Sequence, residues 1–399
     1  MELNASWLHC VSIWCAVVLL TACGGKGSDT VTNAPTQLSV AQALFAENAL
    51  SASGQMACAT CHTDENAHAD ATGTSLPLGG PSMNVQGFRS SPTLLYLDTN
   101  QAFRFEGGLP FGGFTWDGRA NTRAEQAEGP LLDPSEMANA DIAAIAGKVR
   151  QLSYYKDFVS VFSLPATPSD AQIFDHLKTA LQTYQQLDPD YQLFNSKFDR
   201  YLDGTTTLSA QEDRGLRLFN DPNKGNCAAC HPSQTGAGGE RPLFTNFGYA
   251  ALGLPRNPQI QANADPSFFD MGLCGPKRTD LSARTDLCGQ FKIPTLRNIE
   301  LTAPYFHNAS VTTLTQAVSF YATRDLRPEL WYPTVGGVVQ LFNDLPAPLR
   351  TNVTMVRPYG LRPGDPPILT AGDVDDLVAF LRTLTDDRTA ASGSPLVRR

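Results

Sequence analysis

Apolar residues recur at helical spacing in several separate stretches, and alternating strand-like stretches are scarce. Thr313–Asp325 sets Leu314, Ala317, Val318 and Tyr321 at i, i+3, i+4 and i+7, one face of a predicted helix. Thr370–Leu384 repeats Leu377, Phe380, Leu381 and Leu384 in the same way, with Thr370 as its N-cap. Asp141–Leu152 and Ser169–Leu187 carry further helical periodicity. Two other stretches echo each other: LSVAQALFAENALSASGQMACATCH (Leu38–His62) and LSAQEDRGLRLFNDPNKGNCAACH (Leu208–His231). Each runs a short helical pattern to Leu-Phe, then a polar turn, then Cys-x-x-Cys-His. This weak repeat implies two related domains. The pattern as a whole predicts a mainly α chain with long loops and little β structure.

Length and composition agree. At about 100–200 residues per domain, 399 residues suggest two or three domains. Hydrophobic residues make up 42%, enough for real cores, while Gly 32 and Pro 28 favour long loops. The formal net charge is -9, and no basic patch supports binding to nucleic acid. An acidic surface suits a basic partner.

The first residues read as a targeting segment. Val11–Leu20 is apolar but too short to span a bilayer, although Met1–His9 has no Lys or Arg. Leu20–Cys23 (LTAC) resembles a lipoprotein cleavage site. Residues 1–22 are thus expected to be a signal peptide and Cys23 the lipid-bearing first residue of a periplasmic protein. That lipid anchor is the expected membrane contact. Residues 23–36 read as a flexible tether, 37–205 and 206–387 as the two domains, and 388–399 as a disordered tail.

Cysteine usage brings in chemistry. Of nine cysteines, Cys10 and Cys15 leave with the signal and Cys23 takes lipid. Cys58, Cys61, Cys227 and Cys230 form the two motif pairs. Cys274 and Cys288 remain, and in an oxidising compartment they most simply form a disulfide, worth about 3 kcal/mol in the chain-entropy model. Three chemistries compete for the motif pairs. A thioredoxin-like redox pair needs a βαβ setting, which is missing. A four-cysteine zinc site leaves the adjacent histidines unexplained. Covalent c-type haem uses both thiols, and the next histidine binds iron, so His62 and His231 become proximal ligands. The histidines left for other roles are His68, His176 and His307, and methionines are few.

Several ordered motifs resemble the bacterial dihaem cytochrome c peroxidases and their MauG-type relatives, from about Ala41 to Leu384. They are CATCH, FRSSPTLL, TWDGRA, AEQAEGP, SEM, CAACH, FKIPTLRNIELTAPYFHNAS and TLTQAVSFY. The resemblance implies two cytochrome c-like helical domains with one haem each and a calcium ion between them. In the peroxidases a loop histidine closes the first haem. Here Ser82 stands at that place, His68 lies too early, and Met83 reads as a structural loop residue. The first haem is therefore expected to be five-coordinate. The same likeness makes Glu136 the acid/base for peroxide and Gln126 its hydrogen-bonding partner, with Pro130 shaping the pocket. Read without it, Glu136 would cap a helix starting near Met137. Trp116 matches the tryptophan between the haems.

At the second haem, Tyr321 occupies the position where ordinary dihaem peroxidases carry a methionine and MauG-type enzymes an iron-binding tyrosine. An anionic phenolate favours ferric and higher states, and a thioether favours ferrous iron. His307 matches a residue near the second haem. Calcium maps onto Ser90, Thr302 and Pro304, with Ser90 in place of the family's usual Asn. The resemblance thus implies an enzyme that reacts with hydrogen peroxide at the first haem. It would share the oxidising equivalents with a His231/Tyr321 haem and oxidise an aromatic or protein substrate. Two other readings stay open: a cytochrome c peroxidase drawing electrons from a small redox protein, and a non-enzymatic dihaem electron carrier.

Overall fold

The computed structural model describes residues 34–69 and 76–388. Most of its helices start where a side chain caps them; the two that begin at Cys58 and Tyr155 are the exceptions. Thr36 opens α1 (Gln37–Phe45), and the single turn α2 (Cys58–Cys61) follows. Thr122 caps α3 (Arg123–Leu132), Asp141 caps α4 (Ile142–Gln151), and α5 (Tyr155–Val161) precedes α6 (Asp170–Leu187), capped by Ser169. Ser196, Ser209, Thr313 and Thr370 cap α7 (Lys197–Leu202), α8 (Ala210–Asn220), α9 (Leu314–Thr323) and α10 (Ala371–Arg382). Each cap is worth about 1 kcal/mol.

Strands among the described residues are short and pair two by two, all antiparallel. They are β1 (Leu78–Gly79) with β2 (Val85–Gln86), and β3 (Arg104–Glu106) with β4 (Leu109–Phe111). Further on, β5 (Tyr249–Ala250) pairs with β6 (Phe291–Lys292), and β7 (Thr334–Val335) with β8 (Val338–Val339). The expectation of a mainly α chain with little β structure holds.

Two apolar cores organise the helices. The first gathers Leu44 and Phe45 of α1, Ile145 and Val149 of α4, Phe158 of α5, and Ile173 and Leu177 of α6. The second gathers Phe198 of α7, Phe219 of α8, Leu314 and Val318 of α9, and Leu377 and Phe380 of α10. The echo in sequence returns as an echo in packing, with α1 lying against α6 and α8 against α10. The second crossing is close because Gly215 lacks a side chain; a Cβ there would lie 2.0 Å from the Asp376 carbonyl oxygen. Packing passes from one core to the other between Tyr191 and Phe198, ahead of the boundary expected near residue 206.

From Pro35 onward the chain forms one compact unit. Arg297, fully buried, joins its parts. It donates to both Asp199 oxygens at 2.9 and 3.0 Å, and its guanidinium stands over the rings of Tyr96 and Phe194. Removing one partner of such a pair costs about 3–5 kcal/mol. The expected signal peptide, Cys23 and most of the tether lie outside the described residues, as does the tail after Arg388. Arg388 itself donates to the Asp190 carbonyl at 3.2 Å.

Candidate functional site

Cys58 and Cys61 sit on α2, and His62 caps its end. The His62 Nδ1 lies 2.8 Å from the His68 carbonyl oxygen. A carbonyl only accepts, so Nδ1 carries the proton and Nε2 is left basic. Burial lowers the proton affinity of the ring and keeps it neutral. These three residues line a cavity of about 210 Å³ with Trp116, Gln126, Glu136 and Lys277. Among its described lining residues His62 is the only histidine. His68 is buried beside it, stacked on Tyr191 at 4.4 Å with Nε2 3.1 Å from Asp64, and burial pushes it down to about 3.

The far wall comes from α3 and the turn after it. Gln126 and Pro130 line the cavity from α3, and Pro130 has no N–H to offer the Gln126 carbonyl. Asp133 accepts from the Ser135 amide and hydroxyl at 2.9 and 2.7 Å. The Met137 amide donates to the Pro130 carbonyl at 3.0 Å, and the Gly80 amide donates to the Glu136 carbonyl at 2.8 Å. Held on these sides, the turn sets Glu136 in the cavity lining. Glu136 caps no helix, since α4 starts later under Asp141. Burial pushes its carboxyl up to about 7; Asp133 adds to the rise, and Lys277 and Arg119 oppose it. Ser82 sits exposed in the turn between β1 and β2. The Met83 sulfur accepts a bond from Ser53 Oγ at 3.4 Å.

A second cavity, of about 230 Å³, is built on Cys227, Cys230 and His231. The His231 Nδ1 faces the Phe244 carbonyl at 2.7 Å, repeating the His62 arrangement, and burial pushes the ring down to about 4. Leu314, Ala317, Val318 and Tyr321 line this cavity from α9, which is the face that their spacing predicts. Burial raises the proton affinity of Tyr321, and the Cys227 and Cys230 thiols add to the rise. His307 lines the same cavity, stacked on Phe291 at 3.4 Å, and its Nε2 is buried without a hydrogen-bond partner among the described residues.

Trp116, Lys292, Ile293 and Pro294 line both cavities. The Trp116 indole N–H donates to the Ser90 carbonyl at 2.8 Å, and the Trp116 carbonyl accepts from the Lys292 amide at 2.8 Å. The Ser90 amide in turn donates to the His307 carbonyl, and its hydroxyl to the Phe306 carbonyl, both at 2.8 Å. Arg89, next in the chain, pairs with Asp117 at 2.7 Å and Asp270 at 2.6 Å. Thr302 and Pro304 lie on the turn leading into Phe306, and the Thr302 hydroxyl donates to the Ile299 carbonyl at 3.3 Å. Among the described residues no cluster of three or more His, Cys, Asp or Glu could hold a metal ion, so calcium there would depend on the Ser90 oxygen and carbonyls.

Lys277, Lys292 and Tyr359 were not singled out in the sequence, because nothing periodic marks them. Lys292 is buried, which pushes its amine down to about 8, and its Nζ donates to the Gly113 carbonyl at 3.0 Å. Lys277 arrives on the loop closed by the Cys274–Cys288 disulfide and pairs with Asp133.

The donor sets fit c-type haem and not zinc. A zinc site would gather the four motif cysteines, yet they line two separate cavities in pairs. Each pair comes with one histidine whose Nε2 is left basic. Comparison with known proteins agrees. A family model described as "Di-haem cytochrome c peroxidase" matches residues 35–207. The methylamine utilization protein MauG of Paracoccus denitrificans is 34% identical over 359 residues, covering 86% of this chain and 87% of that protein. The cytochrome c551 peroxidase of Nitrosomonas europaea is 30% identical, covering 76% of this chain and 77% of that protein. The crystal structure of the diheme peroxidase BthA from Burkholderia thailandensis superposes with a TM-score of 0.81 at 38% identity, covering 90% of this chain and 89% of that one.

Proposed function

The chain belongs to the MauG and cytochrome c peroxidase family of dihaem enzymes, a peroxidase-type oxidoreductase with two c-type haems, and from that premise we propose that it works in the MauG manner. One observation carries the choice: the residue lining the second cavity from the last turn of α9, on the face shared with Leu314, Ala317 and Val318, is a tyrosine, Tyr321. In this reading Cys58 and Cys61 hold one haem and Cys227 and Cys230 the other. His62 and His231 are the proximal ligands, and Tyr321 is the second ligand of the second iron.

Haem, when bound, supplies iron that takes up peroxide and stores oxidising equivalents. The protein moves the protons. Glu136 takes a proton from the inner peroxide oxygen and gives it to the outer one, and a carboxyl shifted to about 7 can do both near neutral pH. Gln126 orients peroxide by hydrogen bonding, and Pro130 shapes the wall behind it. Two electrons and two protons turn each peroxide into two waters. An aromatic group outside the cavities, on a small molecule or a partner protein, supplies the electrons. Trp116, lining both cavities, links the two sites, and His307, which lines the second cavity, would stand beside the second haem. The protein acts in the periplasm, tethered through Cys23. A calcium ion on Ser90, Thr302 and Pro304 belongs to the same reading.

Spin-resonance spectroscopy of the resting ferric protein tests the proposal. One high-spin haem and one low-spin haem are expected. Tyr321→Phe should change the low-spin signal and spare the other; an unchanged signal sinks the ligand assignment. Rapid peroxide turnover with reduced small cytochromes, undiminished in that variant, would favour the cytochrome c peroxidase role instead.

A further inference from the structure

The second cavity contains a tyrosine with no role so far. Tyr359 lies in the irregular segment before α10 and is only 5% exposed. Its ring stacks beside that of Tyr321, with centroids 5.4 Å apart and 23° between the planes. The Arg324 guanidinium stands 3.6 Å from the Tyr359 ring centroid. Arg324 is itself fixed: it donates to the carbonyls of Leu252 and Thr354, each at 2.9 Å, and to Asp325 at 2.7 and 2.9 Å. Asp325 also accepts the Gly360 amide at 2.8 Å, and the Tyr359 amide donates to the Val356 carbonyl at 3.1 Å. Backbone and ring are therefore held from several sides.

The hydroxyl is the exception. The Tyr359 oxygen is buried and makes no regular hydrogen bond among the described residues. Its ring lies beside that of Tyr321 and both line the second cavity, so the Tyr321 oxygen is the acceptor this arrangement offers it. A buried phenol that makes no hydrogen bond loses the water it would otherwise bond, so the position needs an acceptor. A neutral Tyr321 is a weak one. A Tyr321 that has lost its proton to a metal is anionic, and hydrogen bonds to an ionised acceptor are roughly twice as strong.

We propose that Tyr359 donates a hydrogen bond to the Tyr321 oxygen and so sets how strongly Tyr321 donates to the second haem iron. The inference rests on the reading of Tyr321 as an iron ligand. A donated proton draws electron density off the phenolate, weakens its bond to iron and eases reduction. Tyr359 is then a positioning and tuning residue.

Tyr359→Phe keeps the ring and its contact with Arg324 and removes only the O–H. In this variant the reduction potential of the second haem should fall, and its phenolate-to-iron charge-transfer band should move to longer wavelength. The first haem should keep both properties. In the unaltered holoprotein the iron–oxygen stretch, followed by resonance Raman scattering, should shift on exchange into D2O; this arm needs no variant to fold. Tyr321→Phe separates the two ideas. If it leaves the second haem's spectrum unchanged, the ligand reading falls and takes the inference with it. If it alters that spectrum while Tyr359→Phe leaves band and potential in place, or the stretch ignores D2O, the inference alone is overturned.

Discussion

Gly79 passes so close to Ser135 that a Cβ on it would lie 2.3 Å from the Ser135 carbonyl oxygen and 2.7 Å from that of Glu136. The next residue, Gly80, donates its amide to the same Glu136 carbonyl. The β1–β2 hairpin is therefore the floor beneath the turn that presents Glu136. Gly79→Ala must push that turn, because the atoms it meets are backbone. The variant should lose about 1–3 kcal/mol of stability, the usual cost of overpacking. It should also react more slowly with peroxide while the second haem keeps its spectrum. Thermal unfolding and stopped-flow mixing with peroxide read the two effects.

Glu136 predicts a pH limb. Burial lifts its carboxyl from 4.5 to about 7. The carboxylate is the form that can take a proton from peroxide, so the rate should climb about tenfold per pH unit below 7 and level off above it. Glu136→Gln should remove the limb and slow the plateau by about 10²–10⁴-fold. The stability linkage runs the opposite way. A raised carboxyl adds stability below its unfolded value and loses it as pH rises through about 7. A limb that survives in Glu136→Gln would assign the proton transfer to another group.

Lys277 should set where that limb falls. Burial alone would raise Asp133, yet its bonds from Lys277 and Ser135 hold it below the usual carboxylate range. The charges acting on Glu136 are Asp133, Lys277 and Arg119. Lys277→Met removes one opposing charge and leaves Asp133 uncompensated, and both effects favour the protonated Glu136. The limb should move to higher pH, so that activity at pH 7 falls severalfold. Lys277 and Arg278 ride on the loop closed by Cys274 and Cys288, and Arg278 anchors it to the Asp117 carbonyl at 2.9 Å. Replacing both cysteines by Ser should therefore cost about 3 kcal/mol and move the limb the same way. A limb that stays in place in both variants argues that Lys277 does not act on Glu136.

These cases show what a sequence can carry. Most of the helices were legible because the buried face sits behind a local cap, as with Thr370 ahead of Leu377, Phe380 and Leu381. The motif cysteines and histidines were legible because their chemistry is local, and the α9 periodicity turned Tyr321 towards Leu314, Ala317 and Val318. Lys277, Lys292 and Tyr359 were not legible. They reach the cavities from irregular segments, where no period tells which way a side chain points. Gly79 escaped for a related reason: its role lies in a contact with a turn far along the chain. The place where packing changes cores is hidden in the same way: Phe198 packs with Phe219, Phe244 and Phe380, a long-range choice invisible in local pattern.

Trp116 gives the sharpest test of how the two sites communicate. Its ring forms part of both cavity walls, and its N–H satisfies the carbonyl of Ser90, which is only 5% exposed. Phe at this position keeps an aromatic wall but cannot donate. The Ser90 carbonyl is then buried without its partner, at a cost of about 1–3 kcal/mol. Because the Ser90 amide bonds the His307 carbonyl, the disturbance reaches the second site as well as the first. Glu136 and Gln126 stand apart from this chain of bonds, so peroxide should still be consumed at the first site in Trp116→Phe. The second haem's spectral response to one equivalent of peroxide should lag behind or disappear. Stopped-flow absorbance resolves the two haems if their ligands differ as proposed. If both respond as fast as in the unaltered protein, the oxidising equivalents travel by another route, and Lys292 with Ile293 and Pro294, which also line both cavities, becomes the segment to test.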